Sequence, residues 1–231
     1  MRHRVVSHVQ QHHRNANEPH DPNIVRFERL GFVPGISRAS FRIMLFHSFT
    51  PRGFRETAAM ILAGARGNTT FAGIVARGLV VAALLALYAW FGGLPALAFG
   101  YALPLVTVYP WFSWLSLLVE HRWFVECNAR TRFSRECTVG RPTDYPGASG
   151  WLIKHFILPA TDHYHLVHSL YPHVRWNYMR AIDRVLKTRS PEYIAHRSVG
   201  FYRSNGSTPS AMSELRERMT RKEMTDEHYA R

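Results

Sequence analysis

The chain is poor in acid, poor in cysteine and, over one long stretch, devoid of charge. Its 231 residues hold 16 Asp and Glu against 29 Lys and Arg. Cys127 and Cys137 are the only cysteines, with nine residues between them and no CxxC, which excludes a disulfide framework. No helix-turn-helix, zinc-finger or RNA-binding signature accompanies the formal charge of +13. That charge therefore reads as a basic surface facing anionic lipid headgroups, with no nucleic-acid partner. No cleavable signal peptide is expected, because the chain opens Met1-Arg2-His3-Arg4 and reaches a histidine cluster at once. From Gly78 to Val119, 42 consecutive residues include no Asp, Glu, Lys or Arg.

A hydrocarbon core needs about 20 helical residues for one crossing, so the uncharged run fits two. Its middle reads Gly92-Gly93-Leu94-Pro95, which breaks a helix and favours a turn. Two abutting apolar helices are hard to bury inside a soluble protein of this size, and the spacing predicts a transmembrane hairpin over 73–91 and 95–119. Arg52, Arg55, Arg66 and Arg77 precede it and Arg122, Arg130, Arg132 and Arg135 follow it, while the turn carries none. By the positive-inside rule both polar segments are cytoplasmic. Residues 36–72 mix apolar and basic positions as helices lying in the headgroup plane do. The expected fold class is an all-α membrane protein: one transmembrane helical hairpin, helical cytoplasmic His-rich segments and interfacial helices. Residues 187–231 read as a hydrophilic C-terminal tail, with a helix start at Thr208-Pro209 and a solvated or disordered charged stretch from Glu214.

Fourteen histidines remain to be placed. His8, His12 and His13 form HxxxHH, His163, His165 and His168 form HxHxxH, and His121 follows Glu120 at the end of the apolar run. On a helix His8 and His12 share a face, and so do His165 and His168, while His13 lies about 100° further round and could serve a second ion. Neutral imidazoles converging from separate segments suit iron, zinc or copper, with iron preferred where oxygen is handled. His3, His20, His47, His155, His173, His196 and His228 are isolated and read as surface or interface histidines.

The run from His165 to Val174, HLVHSLYPHV, resembles the last histidine box of integral-membrane fatty acid desaturases and hydroxylases, written HLxHHLxPxV. His8–His13 is similar to their middle box, and Glu120-His121 resembles a Glu-His pair of bacterial members; the order of these pieces also agrees. The resemblance makes 1–186 a desaturase-like membrane domain around the hairpin of about 73–119. It implies two iron ions held by His8, His12, His13, His121, His165 and His168 at the cytoplasmic membrane face. It also implies O2 as co-substrate, an acyl or lipid-like substrate, and electrons from a donor such as ferredoxin, rubredoxin or a cytochrome. Glu120 and Asp162 are candidates to accept the ring N–H of a ligating histidine.

Two departures bear on these expectations. Ser169 stands where the box has its final histidine, leaving a position vacant, filled by water, or compensated by His163. The family's first box lies on an earlier hairpin, whereas this chain starts about seven residues before the middle box. The expectation is a missing upstream segment, with weak iron binding and little activity by this chain alone. Two other functions stand beside the oxidoreductase. One is a truncated or degenerate non-catalytic relative, which Ser169 favours. The other is a zinc-dependent membrane hydrolase, against which stand the dominance of histidine and the lack of HExxH.

Overall fold

A computed structural model describes residues 12–66, 70–158 and 162–221 and is mostly helical. His8, His3 and His228 lie outside the described residues. Among the described residues the chain divides into two units, one within 46–114 and one formed by 12–45 with 115–221.

The first unit opens with a 3-10 turn, His47–Phe49, leading into helix α3, Pro51–Arg66, which follows α1 (Pro22–Leu30) and α2 (Arg38–Leu45) of the other unit. Gly53 lets the start of α3 pass the turn, since a Cβ there would collide with the His47 carbonyl oxygen. His47, expected at a surface or an interface, is buried, contacts Glu56 Oε2 at 3.3 Å and packs on Trp114, which corrects the surface alternative. Helix α4, Phe71–Pro95, starts with the Thr70 hydroxyl accepting from Gly73 N–H. It continues through π-helical and one-turn segments into α5, Val108–Glu120.

This helical run, Phe71–Glu120, is long and apolar enough to cross a membrane, with mean hydropathy 2.1 in its most apolar window and none of that window buried by protein. Its regularity breaks at Gly93, where φ is 63° and ψ −161°, a conformation open to glycine and costly elsewhere. Around the break the Tyr88 and Tyr101 rings lie 6.2 Å apart. Thirteen helical residues would separate them by about 20 Å, so the chain reverses there.

The second unit holds the core. Asp21 caps α1, with Pro22 in the first turn, and Gly31 at φ 73° ends it; Ile24, Phe27 and Leu30 face inward. After α5 come α6 (Arg132–Val139), strand β1 (Thr143–Asp144), α7 (Gly147–Leu152), α8 (His165–Leu170), α9 (Trp176–Arg189), α10 (Pro191–Ile194), strand β2 (Ser198–Val199) and α11 (Ala211–Thr220). The strands form a short parallel pair, Thr143 opposite Ser198. Cys137, Leu166, Val167, Leu170, Met179 and Tyr193 pack into one cluster that joins α6, α8, α9 and α10. Both cysteines are free thiols, and burial pushes that of Cys137 up to about 12.

Residues 187–221 depart from the solvated tail expected of them. Helix α11 begins at a reciprocal Ser210/Ser213 cap, two residues beyond Thr208-Pro209, and buries Ala211, Met212, Leu215 and Met219. Glu214 takes charged contacts from Arg122 (3.0 Å), Arg218 (2.8 Å) and Arg141. The charges that read as solvent-facing in sequence are the ones that dock the helix.

Candidate metal centre

Three backbone segments of the second unit carry histidines to one place. His12 and His13 lie at the start of the described chain, His121 directly follows α5, and His165 and His168 are on α8. His12, His13, His121 and His165 are buried. The Nε2 atom of His121 is 3.1 Å from Nε2 of His12 and 2.9 Å from Nε2 of His165; a separate pair, His13 and His168, brings its Nε2 atoms to 3.2 Å. The two groups adjoin, since ring centroids are 5.5 Å apart between His12 and His13 and 5.8 Å between His165 and His168.

Asp21 sets the chemistry of the triad. Its carboxylate lies 3.0 Å from Nδ1 of His12 through both oxygens and also accepts from the backbone N–H groups of Asn17 and Asn23, each at 2.9 Å. The Nδ1 proton then belongs to Asp21, and Nε2 of His12 presents a lone pair. Burial depresses the His12 pKa, but the Asp21 contact outweighs it and leaves it above the ordinary value. His165 is held well below, by burial and by the neighbouring imidazoles, and His168 is lowered by burial. Both keep the neutral form that binds metals.

Three convergent Nε2 atoms exceed what hydrogen bonding alone satisfies. A neutral Nε2 either donates one proton or offers one lone pair, so His121 cannot serve His12 and His165 together in two good hydrogen bonds. A cation accepts a lone pair from each. His12, His121 and His165 therefore fit a metal ion, their ligand atoms lying within 4.8 Å of one another. Trp123 walls the group: its ring stands 5.0 Å from that of His121, and its N–H is tied to the Leu117 carbonyl at 3.0 Å. Asn17 joins the two supporting loops, donating to the Val125 carbonyl (2.7 Å) and accepting from Phe124 N–H (2.6 Å).

The remaining candidates lie around this group. Glu120 is close enough for its charge to bear on His12, and Arg122 pairs with Glu214. Asp162 accepts from the Ser116 hydroxyl at 3.0 Å. His163 sits apart, amid the charges of Lys154, Asp183 and His155. Ser169 is fully buried, and its hydroxyl has no hydrogen-bond partner among the described residues. Beside His13 a cavity of about 550 Å³ is lined by Arg130, Arg132, Arg135, Pro172 and His173.

A sequence profile described as fatty acid desaturase matches residues 2–201, nearly the whole chain. The chain belongs to the fatty acid desaturase family. No curated protein and no solved structure matches it. Membership carries oxidoreductase chemistry of the desaturase/hydroxylase type, in a membrane-bound family that depends on two irons. In this desaturase-family chain the histidine triad is a group able to hold a metal.

Asp21, Asn17 and Trp123 were absent from the sequence-based candidates. Asp21 carried a signal: Asp-Pro before an amphipathic run is a helix start, which fixes the aspartate backbone eight residues after His13. Trp123 and Asn17 carried none, because their roles depend on contacts across about a hundred residues.

Proposed function

We propose that this chain is a membrane-bound di-iron oxidoreductase that uses O2 to desaturate or hydroxylate a fatty acyl or lipid-like substrate. The observation that carries this reading is the convergence of three Nε2 atoms at 2.9–3.1 Å on His121. His12, His121 and His165 hold one ion, to which His8 is added by its i, i+4 sequence spacing from His12, and His13 and His168 hold the other. Bound iron supplies the oxidation of an unactivated C–H bond, which no side chain achieves. The protein's own contribution is to fix each imidazole: Asp21 retains the Nδ1 proton of His12, and Trp123 keeps water from the His12–His121 edge.

Other features support the membrane setting and the partners. The reversal at Gly93 and the charge asymmetry around it fit a hairpin whose two ends return to the cytoplasmic face. Phe54, Met60 and Leu62 are exposed on α3 together with Arg52 and Arg55, as suits a helix in the headgroup layer. Arg130, Arg132 and Arg135 beside His13 form a basic mouth suited to docking a small acidic electron donor such as a ferredoxin, a rubredoxin or a cytochrome.

Expression in cells followed by lipid profiling tests the reading. The expected result is a new acyl double bond or hydroxyl that requires O2 and disappears in His121→Ala. Identical lipid profiles for wild type, variant and empty host contradict it.

A further inference from the structure

His121 is the histidine on which both short contacts of the triad converge. The main chain around it is gripped from helix α11. Arg122, the next residue, donates from Nε to Glu214 Oε1 at 3.0 Å and from Nη1 to the Thr138 carbonyl at 2.8 Å. The Trp123 carbonyl accepts from Arg218 Nη1, and Arg218 also pairs with Glu214 at 2.8 Å. Two residues before His121, the Val119 carbonyl accepts from Arg141 Nη2 at 3.4 Å, while Arg141 Nη1 pairs with Glu214 Oε2. One carboxylate thus joins three guanidiniums that reach Val119, Arg122 and Trp123, on both sides of the histidine.

Arg141 and Arg218 are nearly enclosed, with 1% and 10% of their side chains exposed. Cations buried this closely repel one another unless a counter-charge sits among them. Without Glu214 the three would separate, and Arg122 and Arg218 would draw the main chain at 122–123 with them. Trp123 is the ring that walls the triad, 5.0 Å from the His121 ring and 6.1 Å from that of His12. Metal–ligand distances tolerate only about 0.2 Å, so a small shift of this loop is enough to spoil the convergence of the Nε2 atoms. Helix α11 lies beyond residues 2–201, which match the family profile, so membership assigns it no part in the site.

We infer that Glu214 is a positioning residue of the metal centre: through Arg122 and Arg218 it fixes the loop that presents His121 and Trp123. This rests on the reading of the histidine triad as a metal site. Helix α11 then belongs to the functional site, although none of its residues is a ligand.

The test is anaerobic titration of the detergent-purified full chain with ferrous iron, at a temperature where each protein compared keeps its wild-type helical circular dichroism. Wild type is set against Glu214→Gln, which keeps shape and removes charge, and Glu214→Asp, which keeps charge and shortens reach. Leu215→Ala is the control, since Leu215 is fully buried on the same helix and its truncation weakens packing while leaving the arginine cluster in place. Glu214→Gln should bind iron roughly 10-fold more weakly than wild type. Glu214→Asp should fall between the two, and Leu215→Ala should keep wild-type affinity. If Glu214→Gln fails to fold, Glu214→Asp against Leu215→Ala decides in the same way. Wild-type affinity in the Glu214 variants, or equal losses in them and in Leu215→Ala, overturns the inference while the metal reading stands. If wild type itself binds no iron, both fall.

Discussion

The Nε2 atoms of His12 and His121, 109 residues apart in the chain, meet at 3.1 Å, and the opposite ring nitrogen of His12 is held by the buried carboxylate of Asp21. That relay of carboxylate, imidazole and open lone pair is the arrangement by which proteins orient metal-binding histidines.

Asp21 has two jobs, capping α1 and holding His12. Asp21→Ala should cost about 1 kcal/mol as a lost cap, plus more for the stranded backbone donors. It should also weaken metal binding roughly 10–100-fold. Denaturant melts and metal titration separate the two effects. Unchanged metal affinity in a folded variant argues against the orienting role.

Leu215 and Met219 of α11 are fully buried, so Leu215→Ala and Met219→Ala should each destabilise by about 2–5 kcal/mol. The exposed neighbour Arg216→Ala should change stability by less than about 0.5 kcal/mol. Equal, negligible effects at all three positions would restore the view of this segment as a solvated tail.

Lys187 bridges Asp144 and Asp183 at 2.7 Å each, and the Tyr193 hydroxyl donates to Asp183 at 2.7 Å. Burial opposes the charge of Asp144, but Lys187 and Arg197 outweigh it and hold its carboxyl below the ordinary range. A depressed carboxyl stabilises the fold above its unfolded pKa of about 3.9, and that contribution is lost as pH falls through the lower folded value. Lys187→Ala should therefore cost about 1–3 kcal/mol at neutral pH and flatten the acid limb of the stability curve. An acid limb identical to wild type contradicts this assignment.

How much of this was legible in the sequence differs by element. The apolar run and its break at Gly93 were, because hydropathy and glycine conformation are local properties. The joining of His12, His121 and His165 was approached through motif order, but their spacing alone could not separate the triad from the His13–His168 pair. The docking of α11 was not legible: Arg122, Arg141 and Arg218 converge on Glu214 only after the chain folds, and in sequence they read as ordinary surface charge.

The basic mouth beside His13 gives a kinetic prediction. Arg130 is exposed, whereas Arg132 donates to the Ser169 carbonyl and Arg135 pairs with Glu18, so Arg130→Glu is the cleanest charge reversal. It should slow reduction by an acidic donor several-fold at low salt and lose that effect as ionic strength rises. Rates indifferent to both charge and salt place the donor elsewhere.

The central claim is that His12, His121 and His165 together hold an iron ion. Its most direct test is elemental analysis of the detergent-purified chain after anaerobic iron loading and desalting, compared with a His12→Ala/His121→Ala/His165→Ala variant that retains its helical circular dichroism. Iron retained by wild type and lost from the variant is the predicted result. Equal metal in the two proteins, or wild type that takes up zinc in preference to iron, contradicts it.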